Sequence, residues 1–246
     1  MNCQALWPRL EQSLNHWGHI AGRLGSNAPL ARPFLMCLRG VRPQAPATHE
    51  LVHNPEYDDT GVLLYPGDTP LVFPMASHAY QARSKLSPDA NGDGLGDVGS
   101  IRPGRYVLHD TEDTECVFRV SLPDGSWRLP CWRDFNGDRF LSQDEMEKSE
   151  ELRSGAQVSD DGTWADSILF HGGLDSPASA RHRYSIGCLT ASLPYRQCLR
   201  RLSRLHGGKA DLILVNALDV LRFAEEARAL YGTGEDEPTV PDRRIV

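Results

Sequence analysis

The sequence predicts a mainly β (α+β) fold, with helices near the two ends of the chain. Short runs of β-forming residues follow one another between residues 61 and 132, and Pro, Gly and Asp separate them. Helical periodicity is confined to segments before and after this region. The 246 residues, of which 40% are hydrophobic and 24% charged, suit one folded domain with additions.

The first 59 residues are predicted to be an N-terminal helix followed by an irregular extension. Leu10, Leu14, Trp17 and Ile20 lie at helical spacing, which predicts a helix over 8–24. This helix either packs on its own domain or docks a delivery partner. Residues 28–59 are rich in Pro, Asn and His and show little periodicity, so we predict an irregular connection there.

The central region is predicted to contain two hairpins. Runs at 61–65 and 70–76 flank Pro-Gly-Asp, and a further strand is predicted at 105–108. The runs at 115–121 and 126–132 flank Pro-Asp-Gly, so we expect them to pair. That pairing places Cys116 nearly opposite Cys131. The two cysteines then form either a cross-strand disulfide or two buried free thiols.

The last third of the chain alternates predicted strands and helices. Strands are predicted at 167–171 and 211–215, and helices at 194–205 and 218–231. Ser192 and Asn216 are the candidate N-caps of these helices. The folded domain is therefore expected to span 60–231, with insertions at about 86–100 and 133–160. The tail over 232–246 is rich in charge, Gly and Pro, and we expect it to be flexible.

Composition excludes several classes of function. The net charge of −7 leaves no general basic surface for nucleic acid. The longest apolar runs, such as Phe34 to Leu38, fall far short of the ~20 residues of a membrane span, and no ordinary signal peptide is visible. The six cysteines include no C-x-x-C pair, which argues against a zinc knuckle or a thioredoxin-type motif.

The segment from residue 168 to residue 190 contains the candidate chemistry. His171 ends a predicted strand, and Cys188 follows a glycine. A thiol has an ordinary pKa of about 8.5, so it requires a neighbouring base, which His171 can be, with the Gly172 carbonyl holding its other ring nitrogen. Gly187 permits a tight turn that Ser185 can brace, so that the N–H groups of residues 187 and 188 face a developing oxyanion.

These residues resemble a known family. H-G-G at 171–173, then S-x-G-C-hydrophobic at 185–189, is similar to the signature of the L,D-transpeptidase (YkuD-like) catalytic domain, which remodels bacterial peptidoglycan. Residues 72–77 and 101–106 resemble that family's early strands and its Pro-Gly-x-Tyr element, so the resemblance covers about 61–215. It implies a β-sandwich or barrel with flanking helices, Cys188 as nucleophile and His171 as base.

Two positions depart from the family pattern. Ile186 stands where the family commonly has His, and Thr190 stands where it has Arg or Asn. Arg181 and Arg183 lie in the intervening loop and are candidates to meet substrate carboxylates instead, because guanidinium groups bind carboxylates bidentately.

The resemblance implies an acyl-transfer reaction without a catalytic cofactor. The Cys188 thiolate would attack the carbonyl of the third residue of a peptidoglycan tetrapeptide stem and expel D-alanine, and an amine or water would then accept the acyl group. This chemistry takes place in the periplasm or cell wall. The missing signal peptide and the insertions favour an interbacterial effector with a secretion-machine or immunity partner.

Two alternatives stand beside this prediction. Cys188 and His171 can be ordinary core residues, as most single Cys and His residues are. The chain can also be a non-catalytic cell-wall-binding module stabilised by calcium.

Two acidic loops match the spacing of a calcium-binding loop imperfectly. In the second loop Arg139 replaces the expected glycine, and in the first loop Ser100 replaces the final acid. Neither loop is clearly flanked by two helices, so we expect loops between strands that either bind structural Ca²⁺ or are turns without an ion. The candidate ligands are Asp134, Asn136, Asp138 and Glu145, and Asp89, Asn91, Asp93 and Asp97.

Overall fold

The computed structural model describes residues 32–40, 57–65, 71–79, 83–89, 92–154, 163–173, 185 and 187–216. Within these residues the chain forms eleven strands and two helices. The strands are β1 Phe34–Arg39, β2 Asp59–Leu64, β3 Leu71–Ala76, β4 Gly99–Ile101, β5 Gly104–Asp110, β6 Phe118–Ser121, β7 Leu129–Arg133, β8 Trp164–Ala165, β9 Leu169–His171, β10 Leu189–Ala191 and β11 Lys209–Asn216. The helices are α1 Gln143–Ser154 and α2 Leu193–Arg204. The prediction of a mainly β fold is therefore confirmed.

Eight strands close into a barrel. Their order is β1-β11-β5-β6-β9-β10-β3-β2, while β4, β7 and β8 form a separate three-stranded sheet. Alternate residues of each barrel strand point inward because side chains alternate along a strand. The inward residues form the core, and burying one large apolar side chain contributes about 1.5–3 kcal/mol. They include Leu35, Phe73, Leu108, Phe118, Phe170, Leu189 and Leu212.

Strand β1 is a correction to the sequence prediction. Residues 34–39 lie in the segment expected to be irregular, but they pair with β11 in parallel and with β2 in antiparallel. All six residues of β1 are buried. A strand buried on both faces shows a continuous apolar run and not an alternating one, so its signal was the short run from Phe34 to Leu38.

The first predicted hairpin is confirmed and the second is wrong. Strands β2 and β3 pair in antiparallel, with Val62 opposite Val72. The turn at 122–126 also forms, since the Leu122 N–H donates to the Ser126 carbonyl at 2.8 Å. Beyond it β6 pairs with β5 and β9, whereas β7 pairs with β4 and β8. Cys116 and Cys131 are consequently buried free thiols.

Helix α2 confirms the helix predicted over 194–205. Ser192 stands at its N-cap position with extended backbone, but its side chain makes no capping hydrogen bond. Leu199 and Leu202 pack against the barrel core. Helix α1 was not predicted: it begins at Gln143, inside the second acidic loop, and the Trp132 indole N–H joins it to β7 by donating to Glu150 at 2.9 Å.

Three predicted segments lie outside the described residues: the helix over 8–24, the helix over 218–231 and the tail over 232–246. Asn216, the predicted N-cap of the second helix, is the last residue of β11. Neither of the helices that the structure describes is long and apolar enough to cross a membrane.

Candidate functional site

His171 and Cys188 lie on neighbouring strands of the barrel. Strands β9 and β10 are parallel, with Phe170 beside Leu189 and His171 beside Thr190. Phe170 and Leu189 point into the core, so His171 and the residues flanking Leu189 face outward. Cys188 is therefore diagonal to His171 on the outer face, with their Cα atoms about 7–8 Å apart by ordinary sheet geometry.

The ring of His171 is held by the carbonyl that the sequence predicted. Its Nδ1 lies 2.6 Å from the Gly172 carbonyl oxygen. Because a carbonyl only accepts hydrogen bonds, Nδ1 bears the proton and Nε2 has the free lone pair. Burial lowers the pKa of His171, the Gly172 bond partly offsets this, and the charge of Arg196 lowers it further. His171 is therefore a neutral imidazole at neutral pH, as a general base requires.

The thiol of Cys188 is neutral at rest. Its Sγ accepts the Leu169 N–H at 3.4 Å. Burial raises the pKa of Cys188, and the Leu169 bond offsets this only in part. Within the described part of the chain no hydrogen bond joins the thiol to His171. The pair is thus thiol and imidazole and not thiolate and imidazolium.

The turn before Cys188 is built by Ser185 and Gly187. The Ser185 hydroxyl donates to the Cys188 carbonyl at 2.7 Å and accepts the Gly187 N–H at 3.3 Å, so Ser185 braces the turn as predicted. Gly187 has φ of 121°, and a Cβ there would lie 2.5 Å from the Gly99 carbonyl oxygen. In this turn the Gly187 N–H donates to Ser185, and its predicted contact with an oxyanion stays a prediction.

Other residues around the pair were not all predicted. The buried Thr190 hydroxyl, beside His171, has no hydrogen-bond partner among the described residues. Buried Arg196 donates to the Ala191 carbonyl at 2.9 Å and so connects α2 to the end of β10. The Gly173 N–H donates to the Tyr57 hydroxyl at 3.0 Å. Arg181 and Arg183 lie outside the described residues.

The second acidic loop is closed by its own hydrogen bonds. Asp134 accepts the N–H groups of Gly137 at 2.6 Å and Arg139 at 2.9 Å. Asn136 donates to Asp138 at 3.0 Å. Glu145 accepts the Phe135 N–H at 2.8 Å. Arg139 has φ of 76°, so it adopts the conformation for which a calcium loop normally uses glycine. Because α1 begins within this segment, the expectation that it lies between strands is wrong.

In the first acidic loop a guanidinium neutralises two of the predicted metal ligands. Arg83 forms ion pairs with Asp93, at 3.2 Å, and with buried Asp97. Asp89 accepts the N–H groups of residues 92, 93 and 94. Asn91 lies outside the described residues. The positive charge in this loop is thus supplied by an arginine, which also donates to the Phe135 carbonyl at 2.9 Å.

A buried cluster that the sequence did not predict could hold a metal ion. Among the described residues, Asp58, Asp59 and His78 each place a ligand atom within 4.8 Å of the other two. The described residues of the two acidic loops form no such group. His78 has one ring nitrogen 3.4 Å from Asp58 and the other 3.5 Å from Asp59. Asp59 also accepts the N–H groups of Gly40 and Ser77, each at 2.8 Å. This geometry also suits an imidazolium between two carboxylates.

Comparisons with protein-family models, with curated proteins and with solved structures found no match for this chain. The fold and the site therefore define the chain as a mainly β barrel protein with a cysteine and a histidine on one outer face, and any narrower assignment depends on the chemistry of that face.

Proposed function

We propose that the chain is a cysteine acyltransferase that acts on peptidoglycan tetrapeptide stems, as an L,D-transpeptidase, an L,D-carboxypeptidase or both. The observation that supports this most is the placement of His171 and Cys188 diagonally on one outer face, with the Gly172 carbonyl directing Nε2 of the imidazole away from its own backbone. The family resemblance of residues 171–173 and 185–189 supplies the substrate class.

The reaction begins with transfer of the Cys188 thiol proton to Nε2 of His171. The thiolate then attacks the carbonyl carbon of the third stem residue, and the carbonyl oxygen becomes an oxyanion. Because the Gly187 N–H is bonded to Ser185, the Cys188 N–H is the remaining backbone donor in our proposal. As the intermediate collapses, imidazolium donates its proton to the nitrogen of the leaving D-alanine, and a thioester remains.

The thioester is resolved by an amine or by water. His171 takes a proton from the acceptor, which attacks the thioester carbonyl, and the Cys188 thiol is regenerated with that proton. Another stem's amine gives a cross-link, a free D-amino acid gives exchange, and water gives hydrolysis. The place of action in this proposal is the periplasm or cell wall, reached as an effector by means of a secretion machine.

The test incubates the full chain with tetrapeptide muropeptides, with and without a D-amino acid, and follows the products by mass spectrometry. We expect loss of D-alanine in the wild type and no conversion with Cys188→Ala. Cys198→Ala is the matched control, because Cys198 is also a partly exposed free thiol but lies on α2. A carbapenem should add its mass to the wild type and to Cys198→Ala only. Conversion by Cys188→Ala would refute the proposal.

A second candidate function is a non-catalytic wall-binding module. The raised pKa of Cys188 and the lack of a bond from it to His171 favour this candidate, since neither activates a nucleophile. It predicts that Cys188→Ala binds isolated peptidoglycan as well as the wild type and that neither protein converts muropeptides.

Structural calcium in the second acidic loop is part of our proposal. Burial and the like charges of Glu145 and Asp138 raise the pKa of Asp134, although two backbone N–H bonds act against this. A cation between these carboxylates would relieve their repulsion and brace the insertion beside β7. It would take no part in the chemistry.

A further inference from the structure

A row of residues crosses the outer face of the barrel from Cys188. Arg119 of β6 is in register with Leu169 of β9 and with His109 of β5, and His109 is in register with Lys209 of β11. Continuing the β9–β10 register by one residue places Cys188 beside Leu169, in agreement with the contact between the Leu169 N–H and Sγ. The neighbours of these residues along their strands, Phe118, Leu108, Ala210, Phe170 and Leu189, point into the core.

The row places Arg119 close enough to Cys188 for one bound peptide to contact both residues. Neighbouring strands are about 4.8 Å apart, so the backbone of Arg119, two strands away, lies about 10 Å from that of Cys188. An extended peptide advances about 3.3–3.6 Å per residue. Arg119 therefore lies within about three residues of the carbonyl under attack along an extended peptide.

Arg119 is exposed and supported by an aromatic ring. Its Cζ lies 4.3 Å from the ring centroid of Trp127, which in turn lies 4.9 Å from the ring of His109. Among the described residues Arg119 has no carboxylate partner, whereas Arg32 and Arg105 both pair with Asp211. A guanidinium stacked on a tryptophan keeps its N–H edges free for a planar anion.

The surroundings of Arg119 are positive. Burial lowers the pKa of His109, and the charges of Lys209, Arg32 and Arg119 lower it further. Arg119 and Lys209 lie on either side of His109 in the row, while Arg32 is paired with Asp211. The field on this part of the outer face favours an anionic ligand.

We propose that Arg119, held against Trp127, binds a carboxylate of the donor stem peptide and so places the scissile carbonyl at Cys188. This inference rests on the proposed function and deepens it. Stem peptides have carboxylates on both sides of that carbonyl, and a bidentate guanidinium contact fixes orientation as well as position. Arg119 contacts substrate in this proposal, in the role that the sequence suggested for Arg181 or Arg183.

The test compares tetrapeptides amidated at one carboxylate at a time. For the wild type we expect KM to rise at least tenfold for one amidated peptide, with little change in kcat. Arg119→Gln should show the same rise for the free acid and should not distinguish it from that amide. Arg119→Lys should recover part of the loss, since it retains the charge without the planar fork. The amidated peptide whose KM rises identifies the carboxylate that Arg119 binds.

Arg128→Gln is the matched control. Arg128 is also stacked on a tryptophan, with its Cζ 5.6 Å from the ring of Trp164, but it lies outside the row. Its replacement removes the same charge and should leave the preference for the free acid unchanged. If Arg128→Gln and Arg119→Gln lower affinity equally, the effect is one of general charge and the proposed contact is wrong.

Binding to the Cys188→Ala variant separates this inference from the proposed reaction. Calorimetric titration with the same peptides requires no turnover. Preference for the free acid that disappears in the Cys188→Ala, Arg119→Gln double variant would support the contact even if the wild type proved inactive. The proposed contact would be overturned if Cys188→Ala bound the free acid and every amide equally, or if Arg119→Gln left binding unchanged.

Discussion

At the scale of single residues, burial acts on both members of the candidate pair in the direction of neutrality. It lowers the pKa of His171 and raises the pKa of Cys188. The Gly172 carbonyl fixes the tautomer of the imidazole, while the Leu169 N–H, two residues before His171 on β9, holds the sulfur. In the proposed reaction, activation of the thiol would therefore require a rotation of Cys188 away from the Leu169 N–H.

This arrangement predicts the pH dependence of Cys188 alkylation. The rate with iodoacetamide should rise with an apparent pKa above the ordinary thiol value of about 8.5, because only the thiolate reacts. His171→Ala should leave that profile nearly unchanged, since no hydrogen bond joins it to the resting thiol, yet lower acyl transfer by about 10²–10⁴-fold. Both profiles are measured by mass spectrometry in the Cys198→Ala background.

The opposite outcome is alkylation of Cys188 at low pH that depends on His171. An alkylation step below pH 7 that disappears in His171→Ala would mean that thiolate and imidazolium already coexist at rest.

At the scale of elements, the second acidic loop and α1 form one unit on the small sheet. Glu145 bonds the N–H groups of Phe135 and Asn136 and also the Ser142 hydroxyl, so the helix start and the loop share one carboxylate. Ser149 of α1 accepts the Arg133 N–H of β7 at 3.1 Å. An ion that tightened the loop would therefore stabilise the helix and the sheet together.

Calcium should raise the thermal midpoint of the wild type if the loop binds it. A ligand at 100 times its Kd stabilises the folded state by about 2.7 kcal/mol. Asp134→Asn should abolish the shift, and Asp89→Asn should not, because Arg83 neutralises the first loop. Scanning calorimetry in calcium and in magnesium measures both. An unchanged midpoint in the wild type would identify the loop as a turn closed by its own bonds.

At the scale of the whole molecule, Arg39 joins the barrel to the small sheet. From β1 it donates to the Ser77 hydroxyl and carbonyl and to the Ile101 carbonyl of β4, each at 2.8 Å. Burial raises the pKa of the neighbouring Asp59, but the hydrogen bond and charge of His78 outweigh it, with smaller contributions from the Ser77 bond and the charge of Arg39, so the pKa of Asp59 is lowered. Asp59 and Asp58 in turn raise the pKa of His78 against the effect of burial.

This network predicts how stability depends on pH. The contribution of His78 is complete below its unfolded pKa of about 6.5 and is lost as the pH rises through its higher folded value. The contribution of Asp59 is complete above its unfolded pKa of about 3.9 and is lost as the pH falls through its lower folded value. The free energy of unfolding should thus be highest between these limits and decline into the alkaline range.

Urea unfolding at several pH values tests the network. Arg39→Met should lower the free energy of unfolding by about 3–5 kcal/mol, because it leaves the buried Ser77 hydroxyl and carbonyl and the Ile101 carbonyl without their donor and removes a positive charge near Asp59. His78→Gln should remove the alkaline decline. If a chelator destabilises the wild type and His78→Gln does not respond to it, the cluster holds a metal instead.

Local sequence signals determined the local features of this protein. Pro123-Asp124-Gly125 predicted the turn, and the periodicity after Ser192 predicted α2. The Gly172 carbonyl, which comes next in the chain after His171, was predicted to hold the imidazole and does so. Each of these depends on residues only a few positions apart. The catalytic role of His171 and Cys188 remains a prediction from the same local pattern.

The tertiary structure alone decided which strands are neighbours. Alternation along a strand states which residues share a face, but it does not state which other strand lies beside it. For that reason β6 and β7 separate after a turn that predicted a hairpin, and Arg119 comes into register with Leu169 fifty residues away. Barrel closure is a property of all eight strands together, so no segment of the sequence contains it.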